Sequence, residues 1–368
     1  MKITLVISSL GPGGSERVLS ELANYLVTKN HVVTIILLSA TKKVSFYSLN
    51  PKIILKKVNL KSENSTKIFQ RVINFLLRNY YLRRLIADNL PDVVLSFIDI
   101  TNITTLLAMK GIKIPIIVSE RVDPNHHKIP KIYSWLRNNL YFDSYRVVFQ
   151  TKSSLDYFSS KIKKKSIIIP NPNRYLHKFE RKISRNPRLI VSAGRLAEQK
   201  DYETLIKAMP KVITKYPNLI LKIYGKGSLE EKLKELIYSL KLQKNVFLGG
   251  LTKNIEKCLT EADLFVLPSI YEGFPNALLE AMSTGLPCIA SDCSGNNDII
   301  EHNLNGKLFK VKDINTLSNL ILELLGDYKG RKRISVESKK KVLMYDRDNI
   351  FSQWNKLLTE ASLQTRSK

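Results

Sequence analysis

At 368 residues the chain is longer than one hydrophobic core usually supports, and its 44% hydrophobic and 25% charged residues are those of an ordinary globular protein. Two compact domains are expected, and fibrous, low-complexity and disordered classes are excluded. The formal net charge of +27 is the unusual total, and residues 1–172 hold 26 Lys and Arg against 10 Asp and Glu. Charge on that scale calls for an anionic partner: nucleic acid, anionic lipid or a phosphorylated substrate.

The chain opens with KITLVISSL, a run of buried-strand type, then GPGGSER, then VLSELANYLVTK with apolar residues at helical spacing, then the strand-like HVVTIILLS. This is a β-α-β unit. Gly-Pro-Gly-Gly stands where an export signal would need a longer apolar stretch and a cleavage site, so no such signal is expected. The glycine turn lacks the third glycine of a dinucleotide fingerprint and the Lys-Ser/Thr pair of a P-loop. It reads as a helix start at which Gly13 or Gly14 approaches a phosphate or a sugar, or as a plain tight turn.

Residues 66–90 form an amphipathic, aromatic-rich helix whose basic side fits either a membrane interface or a solvated face. Strands follow at PDVVLSFI, IPIIVSE, YRVVFQT and KSIIIPN, alternating with helical stretches as in a parallel sheet covered on both faces. The loop SERVDPNHHKIP gathers Glu120, Arg121, Asp123, His126 and His127 at a sheet edge. Substrate contact or a plain charged loop explains it better than a metal, because adjacent histidines are a poor ligand pattern. The run KIKKKS at 161–166 reads as solvated or as part of the same basic surface. A polar, proline-containing stretch without periodicity places the inter-domain linker within residues 171–187.

The second half repeats the pattern, with strands at RLIVSAG, LILKIYG, NVFLGG, DLFVLPS, PCIASD and KLFKV and helices between them. Two Rossmann-like halves are expected. After Gly330 comes a polar helix, then a closing helix with Ile350, Phe351, Trp354, Leu357 and Leu358 on one side and a fraying tail, SLQTRSK. Apolar stretches are broken by charges before the length of a membrane span, and Cys258, Cys288 and Cys293 have no metal-ligand spacing and read as packing residues.

Chemistry concentrates in the second half. In YEGFPNALLEAMSTG, Glu272 precedes a helix with Pro275 at or near its first position, and Glu280 follows inside it on the face of Asn276. The N–H groups of residues 276–278 and the helix dipole suit a diphosphate, while carboxylates on either side accept hydrogen bonds from sugar and ribose hydroxyls. In SAGRLAEQKD, Gly194 permits a tight exit from a strand, and Arg195 and Lys200 bring two cations to the same edge. Such a pair binds a diphosphate and stabilises the leaving nucleotide. Gly225 and Gly227 in IYGKGSLEEKL let a nucleobase approach the backbone, or form an ordinary turn.

Together GPGGSERV, SAGRLAEQKD, IYGKGSLEEKL, the glutamate pair of EGFPNALLE and SGNNDIIEHNLNGKLF resemble the family-4 retaining glycosyltransferases of GT-B architecture over nearly the whole chain. The resemblance implies an α/β fold of two Rossmann-like domains facing each other across a cleft: 1–172 on the acceptor side, 173–345 binding the nucleotide sugar, and 346–368 crossing back. It implies that Glu272 contacts the donor sugar, Glu280 the ribose, and Arg195 and Lys200 the diphosphate. Gly14, Gly194, Gly225, Gly227, Gly273, Phe274, Asn276 and Ala277 complete the expected donor site, with Glu120, Arg121 and Asp123 on the acceptor side. Many members carry a first-domain histidine beside the reacting carbon, where this chain reads SERVDP.

The resemblance further implies a UDP-sugar donor as substrate, no metal and no resident cofactor. It is greatest to enzymes that extend polyprenyl-diphosphate-linked glycans in bacterial glycan, capsule or O-antigen synthesis. A cytoplasmic protein, peripheral on an anionic membrane surface through its basic first half, is expected. A sugar epimerase or phosphorylase on the same architecture is an alternative, as is a silent scaffold. Nucleic-acid binding, motivated by charge alone, has no recognisable module and is not expected.

Overall fold

The structure, a computed structural model, describes residues 1–38, 45–58, 68–173 and 182–366. It divides into two compact units, Met1–Pro172 with Asp348–Lys368, and Asn173–Arg347. In chain order the first unit contains β1 (Lys2–Ile7), α1 (Gly14–Thr28), β2 (Val32–Leu37), β3 (Ile54–Lys57), α2 (Ile68–Ala87), β4 (Val93–Phe97) and α3 (Asp99–Ala108). It continues with β5 (Ile116–Ser119), α4 (Lys131–Leu140), β6 (Arg146–Phe149), α5 (Lys152–Asp156), α6 (Ser160–Lys163) and β7 (Ser166–Ile168). The second contains β8 (Leu189–Ala193), α7 (Tyr202–Lys215), β9 (Ile220–Tyr224), α8 (Glu230–Ser239), β10 (Val246–Gly250), α9 (Ile255–Glu261) and β11 (Leu264–Leu267). After these come α10 (Asn276–Ser283), β12 (Cys288–Ser291), β13 (Lys307–Phe309), α11 (Ile314–Gly326), α12 (Tyr328–Val342) and α13 (Arg347–Arg366), which from Asp348 onward belongs with the first unit.

Among the described residues the first unit's sheet runs β3-β2-β1-β4-β5-β6-β7 and the second's β10-β9-β8-β11-β12-β13, every pair parallel. The central strands are continuous apolar runs because helices cover both faces: VVLSF of β4 is buried at every position, as is LFVL of β11. On one face of the first sheet, Val18, Leu22 and Leu26 of α1 pack in one core with Ile350, Phe351, Trp354 and Leu358 of α13. Val18, Leu22 and Leu26 recur every four residues, and Trp354 and Leu358 follow the adjacent Ile350 and Phe351 at three- and four-residue steps, so each set is a single helical stripe. On the other face Leu82 and Ile86 of α2 and Ile103 of α3 join Tyr141 and Phe158.

Three details differ from expectation. β3 was not foreseen, because ILKK is a half-exposed edge strand with two lysines and lacks the apolar run of a central one. α13 continues through Arg366, into the tail expected to fray. Lys165, within the basic run at 161–166, turns inward and donates to the carbonyls of Phe142 and Ser144 at 2.6 and 2.8 Å. Part of the expected linker, residues 174–181, lies outside the described residues, as do Thr66 and Lys67 of the expected aromatic helix. No helix among the described residues is long and apolar enough to cross a membrane.

In each sheet the strand order reverses beside the first strand: β1 lies between β2 and β4, and β8 between β9 and β11. Loops leaving the carboxyl ends of two such neighbours part to opposite faces and leave a crevice, the place where open α/β sheets bind ligands.

Candidate active site

At the switch point of the second sheet, the loop after β8 carries Arg195 and Lys200 and the loop after β11 carries Glu272. Two hydrogen bonds, one backbone and one from a side chain, lock the loops together: Ile270 N–H donates to Gln199 O at 2.8 Å, and Gln199 Nε2 donates to Tyr271 O at 2.9 Å. Lys200 Nζ then lies 2.5 Å from Glu272 Oε1, with side chains only 16% and 6% exposed. The turn presenting Lys200 ends at Asp201, which adopts a left-handed φ of 44° as it starts α7. Arg195 is exposed; its carbonyl accepts from the Ala197 N–H at 2.9 Å, but its guanidinium makes no hydrogen bond or ion pair among the described residues. The two cations therefore differ: Lys200 is tied to a carboxylate, and Arg195 is open to a ligand.

Glu272 is held from behind. Ser269 Oγ donates to its Oε1 at 2.5 Å, Ser291 Oγ donates to Ser269 O, and Asn296 Nδ2 donates to Ser291 O and Oγ at 3.0 and 3.2 Å. The Glu272 N–H donates to Ser294 O at 3.2 Å. Gly295 has φ +85°, and a Cβ there would stand 2.7 Å from Glu272 O, so only glycine lets the SGNND segment lie against the glutamate backbone. Burial, with the charge of Glu272 adding to it, pushes the Cys293 thiol up to about 11. Cys293 is a neutral packing residue. Burial and the same charge keep the Tyr202 phenol protonated far above its usual range.

α10 begins at Asn276, one residue later than a helix with Pro275 in first position; Pro275 is the flanking residue, without a side-chain cap. The Asn276 N–H is already spent on Phe274 O at 3.0 Å, which leaves Ala277 and Leu278, not three residues, as helix-start donors without an intrahelical acceptor. Phe274 and Glu280 are buried, and Phe274 meets the Tyr345 ring edge-on at 5.7 Å. Gly225 and Gly227 serve the loops themselves. A Cβ on Gly225 would fall 1.8 Å from Gly194 O and one on Gly227 2.1 Å from Leu196 O, so both let the turn after β9 press onto the backbone bearing Arg195. Gly194 N–H to Tyr224 O at 2.9 Å and Leu196 N–H to Lys226 O at 3.1 Å complete that contact.

In the first unit Gly14 is the exposed first residue of α1. Glu120, Arg121 and Asp123 come together after β5, but all three are buried. Arg121 lies 4.0 Å over the Phe97 ring and 5.4 Å from that of Trp354, and donates to Asn171 Oδ1 at 2.7 Å. Burial pushes its guanidinium down. Glu120 accepts from Tyr141 at 2.7 Å, and burial, with Asp99 beside it, pushes its carboxyl up to about 7. The half-exposed groups of this loop are the histidines: His126 Nδ1 is 2.7 Å from Asp123 Oδ2, and His127 Nε2 is 3.4 Å from Asp99 Oδ2. Asp99 opens α3 directly after Ile98, whose φ of +76° is strained for a β-branched residue.

Sequence reasoning named Glu272, Lys200 and Arg195 but missed Ser269, Ser291, Gly295, Asn296 and Asp99. The only available signal was the cluster SGNND directly after a strand, which does not say what it touches.

Comparison with known proteins bears on this arrangement. The model "Glycosyltransferase Family 4" matches residues 12–172, and "Glycosyl transferases group 1" matches residues 173–341. The chain is 28% identical, over 98% of its length and 99% of the relative's, to a Campylobacter jejuni α-1,4-N-acetyl-D-galactosaminyltransferase named for a diphospho-undecaprenol-linked acceptor. Among solved structures it resembles a sucrose-phosphate synthase from Thermosynechococcus elongatus, with TM-score 0.84, 16% identity and 98% of each chain covered. It also resembles Anabaena HepE, solved with UDP-glucose, with TM-score 0.78, 17% identity and coverage of 98% of this chain and 100% of that one. These likenesses show the GT-B fold. One glycosyltransferase model matches each half and together they span residues 12–341: the chain is a glycosyltransferase, with the family-4 model on its first half and the group-1 model on its second.

Proposed function

We propose that this glycosyltransferase moves a hexose or N-acetylhexosamine from a UDP-sugar to a polyprenyl-diphosphate-linked glycan, with retention at the anomeric carbon. The acceptor would be met at an anionic cytoplasmic membrane surface in bacterial surface-glycan synthesis. The observation that carries the reading is the Lys200–Glu272 pair at the switch point of the second sheet, beside an exposed and unpaired Arg195.

In this reading Arg195 grips the diphosphate through its planar fork, and the Ala277 and Leu278 N–H groups take further phosphate oxygens at the start of α10. Glu280 accepts from the ribose hydroxyls. Glu272 accepts from a hydroxyl of the donor sugar, and Lys200 turns part of its charge to the leaving phosphate as the glycosidic bond breaks. The diphosphate charge is met by these groups, and the reading uses no metal and no resident cofactor. Gly14, at the start of α1, serves the acceptor or the donor phosphate. Glu120, Arg121 and Asp123 act from beneath their loop, because burial keeps them from direct contact with a large acceptor.

The Campylobacter relative's acceptor and the UDP-glucose held by HepE support the donor and acceptor classes. The test is transfer from UDP-N-acetylgalactosamine and other UDP-hexoses to a synthetic polyprenyl-diphosphate-linked N-acetylhexosamine, with the anomeric coupling of the product read by proton NMR. An α-linked product supports retention. A β-linked product, or epimerised donor without transfer, contradicts the reading.

A further inference from the structure

α2 and α4 both pack on α3, and the Phe75 and Tyr133 rings meet edge-on at 6.4 Å, so the two helices form one surface. That surface is apolar where water should be. Leu76 and Tyr80 on α2 are 61% and 58% exposed, and Ile132 and Trp135 on α4 are 60% and 62% exposed. Each pair is spaced by three or four residues and forms a single stripe outward from its helix. Exposed large apolar side chains clustered in this way mark a surface that something covers.

Charge says what covers it. Neither α2 nor residues 124–142, which include α4 and its approach, contains an Asp or a Glu. Lys128 and Lys131 are exposed where the chain enters α4. An acid-free apolar face with a cationic margin repels a second copy of itself and fits an anionic bilayer. Trp and Tyr side chains also favour the headgroup boundary, where one part of the ring is apolar and the other wet.

We propose that α4 docks the protein on anionic lipid, with Ile132 and Trp135 entering the bilayer beside Leu76 and Tyr80 of α2. Lys128 and Lys131 then meet lipid phosphates at the rim. The proposal rests on the reading above only for its purpose, delivery to a lipid-linked acceptor; the binding itself requires neither donor nor acceptor.

The chain supplies its own probe, since its two tryptophans are Trp135 on this face and Trp354, fully buried in the core of the first unit. The experiment titrates the full chain with vesicles of phosphatidylcholine and phosphatidylglycerol in equal parts, and with phosphatidylcholine alone. The mixed vesicles should shift tryptophan emission to the blue, and lipid brominated in the acyl chain should quench it. Trp135→Ser should weaken vesicle binding about tenfold, while Trp135→Phe keeps most of it. Vesicle binding without an emission shift would mean contact by charge alone. That outcome overturns the proposal, as do binding unaffected by Trp135→Ser, concentration-dependent self-association that buries Trp135, and no binding at all. UDP titration of the same samples is independent of every one of these outcomes, so failure here and failure of the transferase reading are told apart.

Discussion

Lys200 and Glu272, 72 residues apart in the chain, meet at 2.5 Å because the loops after β8 and β11 leave neighbouring strands at the point where the strand order reverses. Both side chains are nearly buried, so each depends on the other for charge compensation. Lys200→Met should lose transfer and destabilise the protein by about 3 kcal/mol, because it strands the carboxylate. Glu272→Gln should lose transfer while UDP binding persists. The double variant should unfold later in denaturant than Lys200→Met alone; equal stability of the two would mean the pair carries no coupling.

The chain of bonds behind Glu272 predicts a different signature. Asn296→Ala removes both hydrogen bonds from Asn296 Nδ2 to Ser291 without touching any group proposed to bind the nucleotide. The turnover rate should fall about tenfold with UDP affinity unchanged, because the carboxylate loses its orientation while the diphosphate grip remains. Equal losses in both would make Asn296 a general stability residue.

Two glycines at positive φ, Gly225 at +150° and Gly250 at +64°, separate strain combined with close approach from strain alone. Gly225→Ala places a Cβ 1.8 Å from Gly194 O, whereas Gly250→Ala, at φ +64°, meets nothing within 4 Å. The second should cost about 1 kcal/mol from its left-handed conformation alone. The first must push away the loop bearing Arg195, so it should cost more and also weaken UDP binding. Melting temperatures and a UDP titration of both variants check the ordering.

Glu120 ties stability to pH. Its native carboxyl titrates at about 7 against 4.5 for the ordinary group, chiefly because burial disfavours the charge. The folded state holds the proton longer than the unfolded one, so this contribution is fully present below about 4.5 and is lost as pH rises through about 7. Glu120→Gln keeps an acceptor for Tyr141 and removes the titration. Relative to that variant, the wild-type melting temperature should fall between these two pH values; parallel curves would mean that Glu120 does not titrate there.

Much of this was legible in the sequence where local pattern and chemistry coincide. The apolar runs of β1, β4, β8 and β11 alternate with helical periodicity, which yields two parallel sheets directly, and Glu272 and Lys200 stand in loops that such sheets bring to one edge. β3 was hidden because an edge strand carries no buried pattern. The partner of Gly225 was hidden for a related reason: a glycine announces a close approach without naming what approaches, and the backbone of Gly194 lies far away in the chain. The loop at 120–127 was legible as a charge cluster, but which members are buried depends on long-range packing, such as Arg121 on Phe97 and Trp354. The Ser269–Ser291–Asn296 support joins three segments of ordinary polar residues, and no local signal marks it.

The most direct test of the donor site is calorimetric titration of the purified protein with UDP, GDP and ADP, in the wild type and in Arg195→Ala. UDP should bind at micromolar affinity, weakened about tenfold or more when the exposed guanidinium is removed. Absence of heat with all three nucleotides, or UDP affinity indifferent to Arg195, would contradict it.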